Sequence, residues 1–189
     1  MRIPRETWLF AALLLAGCEI NPDRVLTAES VELGFGEESF EPITDGDVLS
    51  LAFGSQGGQH VWGAFRLGDA EVKGPPGGYA AVTVTMTLDH PEGPVAEVGP
   101  LSAAVPGGTW TVVGQTVVVA DSPWSAPHLY PEGWAERLES GEQITEEHYN
   151  AATDYRRELL AGGLTYRLVV VDGAGTTLTD ERTVGLSFD

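Results

Sequence analysis

From Ala81 to Leu88 the chain alternates strictly, with Val82, Val84, Met86 and Leu88 on one side and Thr83, Thr85 and Thr87 on the other. Side chains of a β-strand point to opposite faces in turn, so a period of two over this length fixes a strand with one buried and one wet face. Threonine suits the wet face, because its branched β-carbon fits the pleat while its hydroxyl stays solvated. The preceding Gly74-Pro75-Pro76-Gly77-Gly78 excludes helix. One such strand requires partners, and the rest of the chain is read for them.

Short apolar or alternating runs separated by Gly, Pro, Asp and Ser supply them: Ser30 to Leu33, Asp47 to Phe53, His60 to Leu67, Thr109 to Ala120, Leu164 to Val171 and Thr176 to Phe188. Val95 to Val105 reads as a weak strand or irregular edge. Thr109 to Ala120 is apolar enough for a central position, with Gly114 marking a bulge or bend. Asp172-Gly173-Ala174-Gly175 joins the last two strands as a hairpin. The acidic turn at Asp45-Gly46-Asp47 lacks the ligand spacing of a calcium loop and is expected to use its carboxylates on nearby backbone.

Asp121 to Gly163 breaks the strand pattern. Thr145 is a helix cap, Glu146 and Glu147 suit the positive helix end, and Gly162-Gly163 supplies the stop. Tyr149, Ala152, Tyr155, Leu159 and Leu160 form one apolar stripe at helical spacing. Upstream, Ser122 to Trp134 is rich in proline and aromatic residues. An interruption this long is uncommon in a compact domain and is often functional when present. Flat rings beside carboxylates commonly hold sugars or peptides, so Trp124, Tyr130 and Trp134 are the candidate ligand-binding residues, for a glycan or protein ligand.

The strand spacing and the hairpin after Tyr166 resemble an immunoglobulin-like or fibronectin-type antiparallel β-sandwich, here carrying one helical insertion at 121–163. The resemblance covers about residues 30–189 and departs from true immunoglobulin domains in having no cysteine pair. Cys18 is the only cysteine, so no disulfide forms within the chain.

At the N-terminus, Arg2 and Arg5 precede the apolar run Trp8 to Ala16, the layout of an export signal. Nine apolar residues fall short of the roughly 20 that a membrane-spanning helix needs. The run ends in Leu15-Ala16-Gly17-Cys18, which resembles the lipobox of bacterial lipoproteins position by position. The resemblance implies cleavage between Gly17 and Cys18, a signal peptide over residues 1–17, and acylation of the Cys18 thiol, so that membrane lipid is a partner through that residue. Residues 18–29 then read as a tether, and the location is the cell envelope. Glu19, where the best-known sorting rule would place Asp for retention, directs the protein to the outer membrane, facing the periplasm or the cell surface.

The chain holds 10 basic and 28 acidic side chains. Removing residues 1–17, with Arg2, Arg5 and Glu6, takes the formal charge from −18 to −19, which excludes a nucleic-acid partner. His60, His90, His128 and His148 stand in no pair that one element could offer to a single metal ion, and no metal or cofactor is expected. His60, after a glycine-rich loop, is expected to tie down that loop's carbonyls. No serine stands in Gly-x-Ser-x-Gly, the glycine-rich turns lack the ending that cradles phosphate, and no catalytic residue is assigned. The expected function is therefore a membrane-anchored, non-catalytic structural or recognition module. The alternative is a carbohydrate-active or metal-dependent enzyme with its site in the insertion.

Overall fold

A computed structural model describes residues 19–54 and 58–188; Gly17, Cys18 and the expected signal segment lie outside them. In chain order the elements are β1 (Val25–Thr27), β2 (Ser30–Phe35), β3 (Glu41–Pro42), β4 (Val48–Ser50), β5 (Ala52–Phe53), β6 (Gln59–Gly68), β7 (Glu71–Lys73), β8 (Ala80–His90), β9 (Gly93–Val105) and β10 (Thr111–Val119). There follow a 3₁₀ turn (Pro127–Leu129), α1 (Trp134–Glu139), α2 (Glu146–Leu160), β11 (Leu164–Val171) and β12 (Thr177–Ser187). The fold is mainly β and sandwich-like, and among the described residues the helices all lie between β10 and β11.

Hydrogen bonding runs continuously through β3-β2-β6-β10-β9-β8-β11-β12-β4, and all of these pairs are antiparallel except β12 with β4. The path curls until its two halves face each other. A Cβ on Gly63 of β6 would lie 2.5 Å from Met86 Sδ of β8 and 2.7 Å from the Tyr166 hydroxyl of β11, so these strands meet across the core. Tyr166 is buried and its hydroxyl donates to Met86 Sδ at 3.6 Å; burial pushes its pKa well above the ordinary tyrosine value. On the open side, the Leu33 N–H of β2 donates to the Asp180 carboxylate of β12 at 2.8 Å.

The alternation expected from the sequence holds along β8: Val82, Val84, Met86 and Leu88 are buried while Thr83 is exposed. β11 repeats it, with Leu164, Tyr166, Leu168 and Val170 inside. β10 is central, between β6 and β9, and its register against β6 slips between Val112 and Gln115, around Gly114 at φ +70. The Asp172 carboxylate accepts from the N–H groups of Ala174 (2.9 Å) and Thr176 (2.8 Å), closing the hairpin. Asp47 accepts from Thr44 N–H and Asp45 from Thr183 N–H, each at 2.7 Å, so this turn does spend its carboxylates on backbone.

Two expectations are corrected. The weak edge strand is β9, 13 residues long and interior, paired with β8 from Gly93 to Val105. Gly99 and Pro100 hide it from a periodicity reading, because the register slips there between Val84 and Met86 and the side-chain alternation is interrupted. The tether expected over residues 18–29 is, from Glu19 onward, docked. Asn21 N–H donates to Tyr79 C=O and Tyr79 N–H to Glu19 C=O, both at 2.9 Å, and β1 pairs with β7. Leu26 is fully buried. A single apolar residue that enters the core is enough to fix a short strand, yet it leaves no period to detect.

Candidate functional site

The insertion is built from local signals. Pro127 opens the 3₁₀ turn, and Gly133, in the left-handed region at φ +77, precedes α1. At α2, the Thr145 hydroxyl accepts from His148 N–H at 3.3 Å while His148 Nδ1 faces Thr145 N–H at 3.5 Å, a capping box with histidine in the usual place of Glu or Gln. Leu129 and Leu160 are fully buried and join the main core, so the insertion is part of the domain's interior.

Arg156 clamps this segment to the sandwich. Its Nη2 donates to Gln59 Oε1 (3.3 Å) and to the Ala120 carbonyl (3.2 Å), and its guanidinium lies 5.3 Å from the centre of the Tyr130 ring. The Tyr130 hydroxyl donates to the Asp121 carbonyl. Burial raises the Tyr130 pKa above the ordinary tyrosine value; the Arg156 charge opposes this and Asp121 adds to it. Arg156 escaped the sequence reading although its spacing from Ala152 and Leu160, four residues each way, was a usable signal: an arginine on the buried side of a helix needs acceptors across the interface.

The aromatic residues collect around a groove of about 230 Å³ lined by Pro123, Pro127, Tyr130, Pro131 and Trp134, with Glu132 and Glu136 contributing carboxylates. Tyr130 and Trp134 are stacked at 6.4 Å, with 21° between their planes, and Tyr149 meets Trp134 edge-on at 6.1 Å. Trp134 is buried at 8% exposure and forms groove wall, whereas Trp124 is 59% exposed. The Trp124 Nε1–H donates to Glu139 Oε1 at 3.0 Å, which holds the indole against α1. All three candidate residues therefore belong to one neighbourhood, but they differ in kind: one ring is accessible and one is structural. The helical stripe is narrower than its spacing suggests. Ala152 and Leu160 are buried, while Tyr149 at 59% and Tyr155 at 36% are exposed.

Among the described residues no histidine lines this groove. His60 is buried edge-on to Trp62, and its Nε2 has no hydrogen-bond partner among the described residues; nearby, Gly54 N–H donates to Gly58 C=O at 2.8 Å. The carbonyls that this ring is expected to secure include those of residues 55–57, which lie outside the described residues. His90 and His128 stack at 6.4 Å. Among the described residues no three His, Cys, Asp or Glu side chains gather as a metal site.

Burial, followed by the neighbouring His90, lowers the His128 pKa below the ordinary 6.5, with Glu92 and the Pro94 backbone pulling the other way. The folded state prefers the neutral ring, so the unfolded chain binds more protons just below pH 6.5. The contribution is complete above 6.5 and is lost as the pH falls from there through the lowered folded-state value. His128→Gln should accordingly show a shallower fall in Tm between pH 7 and pH 5 than the wild type, read by thermal melts across that range. Parallel curves would show that the ring carries no linkage.

No protein-family model, no curated protein and no solved structure matches this chain.

Proposed function

We propose that this chain is a lipid-anchored lipoprotein of the cell envelope, non-catalytic, which recognises a glycan or protein ligand at the groove of the 121–163 insertion. The observation that carries the recognition reading is Trp124, a large ring kept in the open by an oriented hydrogen bond beside a groove of proline, tyrosine and tryptophan. An exposed indole is costly in solubility and is the residue type most enriched at binding hot spots. Glu132 and Glu136 supply acceptors for sugar hydroxyls or peptide donors. The anchor reading rests on Leu15-Ala16-Gly17-Cys18, and two or three acyl chains on Cys18 would make attachment firm where one is marginal. Among the described residues no helix is long and apolar enough to cross a membrane.

The two tryptophans separate recognition from packing. Trp124→Ala should leave the melting transition within about 0.5 kcal/mol of wild type, while Trp134→Ala removes a buried ring and should cost about 3 kcal/mol or more. Binding is to be measured by titration with cell-wall glycan fragments and with proline-rich peptides. Trp124→Ala should weaken whichever of these binds by roughly 30-fold, as expected for a hot spot of about 2 kcal/mol. Unchanged binding by this variant would overturn the assignment of the groove.

A further inference from the structure

The two ends of the sandwich differ in character. Ala80 of β8 is paired with Val105 of β9, and Val171 of β11 with Thr83 of β8, so the loops 74–79 and 106–110 and the hairpin turn after Val171 share one end. At the other end His90 pairs with Gly93, β11 begins opposite Asp89, and the His128 ring lies against Gly93, which places the insertion there. The 11 residues of β8 separate the ends by on the order of 35 Å at about 3.3 Å per residue.

The N-terminal segment is secured to the first end. Beyond the backbone pair between residues 19–21 and Tyr79, the Asn21 amide donates to Gly77 C=O at 3.1 Å and the Arg24 guanidinium donates to Gly78 C=O. Cys18 is one peptide bond from Glu19, so acyl chains on it would emerge beside this end with almost no slack. The surface there suits such a position. Residues 74–79 and 106–110 contain no charged side chain, and the stretches 72–88 and 98–120 contain no acid at all in a chain with 28 of them. Pro75, Pro76 and Pro106 are exposed, Tyr79 and Trp110 are partly so, and Ile20 and Val25 are exposed apolar side chains at 41% and 37%. Tyr and Trp are the rings that sit well at headgroup depth. The acids at this end are Glu19, Asp23, Glu29, Asp69, Glu71 and the buried Asp172, with Arg24 and Lys73 beside them; the insertion carries nine acids and three bases.

We infer that the end formed by the loops 74–79 and 106–110 is the face that lies on the lipid bilayer, with the rigid sandwich holding the insertion groove away from it. This rests on the acylation of Cys18 and adds an orientation to it. The negative field of the insertion reinforces that orientation over an anionic bilayer, since the insertion carries the larger excess of acid and the loops 74–79 and 106–110 carry none.

Acylation consumes the only native thiol, so an introduced cysteine can be labelled alone. Full-length chains carrying Pro76→Cys or Thr109→Cys at the near end, or Thr153→Cys on α2, are to be labelled with a fluorescent donor. They are then reconstituted into vesicles of phosphatidylethanolamine and phosphatidylglycerol containing a headgroup acceptor. Energy transfer should be several-fold stronger from positions 76 and 109 than from 153. Equal transfer would mean that the anchor segment is a free tether, and stronger transfer from 153 would mean that another face meets the lipid; either overturns the proposed face while leaving the anchor in place. Flotation of the unlabelled wild type with vesicles, and its loss in Cys18→Ser, tests the anchor separately. A wild type that does not float overturns the anchor and this surface together.

Discussion

Val84→Asp should lose several kcal/mol of folding stability, much of what a domain of this size has. Val84 is 1% exposed, faces the interior from the middle of β8, and sits between Leu101 of β9 and Val170 of β11. The substitution deletes a buried apolar side chain and puts a carboxylate where the structure offers no partner. Burying a charge of this kind costs several kcal/mol even after the group protonates, against a net stability of about 5 to 15 kcal/mol for an ordinary domain. Thr83→Asp, one residue away on the exposed face, should cost about 1 kcal/mol or less, since only strand propensity and solvated packing change there. Urea melts of the two variants, followed by circular dichroism, make the comparison. Similar midpoints would show that both faces of β8 are buried or both are wet.

The contrast between those neighbours is legible in the sequence, because a strand with one dry and one wet face writes its orientation into every second residue. The same logic found β11 with β12, the bulge at Gly114, and the acidic turns at Asp45, Asp47 and Asp172. It failed where burial did not alternate. β12 ends in Val184, Gly185 and Leu186, all buried, because the end of α2 covers what would otherwise be the outer face. β9 is interrupted at Gly99, where a Cβ would stand 2.3 Å from Val84 O, so the chain there is chosen for close approach rather than for pattern. The candidate site was half legible. Composition picked out Trp124, Tyr130 and Trp134, since large rings among prolines stand out in any window. It could not separate the exposed indole from the buried one, because that depends on Tyr149 and Arg156 arriving from another part of the insertion.

Gly185→Val should detach the insertion while sparing the sandwich. A Cβ at Gly185 would lie 2.1 Å from the Ala161 carbonyl oxygen and 2.7 Å from its carbon. These are backbone atoms at the end of α2, so no side-chain rotation relieves the clash and the helix end must lift. Leu160, which precedes that carbonyl and is fully buried, would leave the core with it, and removing a buried leucine from its site costs about 2 to 5 kcal/mol. The strands have pairings of their own: Gly185 N–H donates to Asp47 C=O at 2.8 Å, and β11 is held on both sides by β8 and β12. Amide exchange should therefore show α2 losing protection while β8 and β11 keep theirs, with a melting transition several degrees lower. Ligand capture should fall as it does for Trp124→Ala although Gly185 is no part of the groove, because Arg156 and Tyr130 can no longer be held together. Gly185→Ala should act in the same direction and less strongly. A valine variant with α2 still protected and binding intact would show that the close approach of helix and strand does not position the groove.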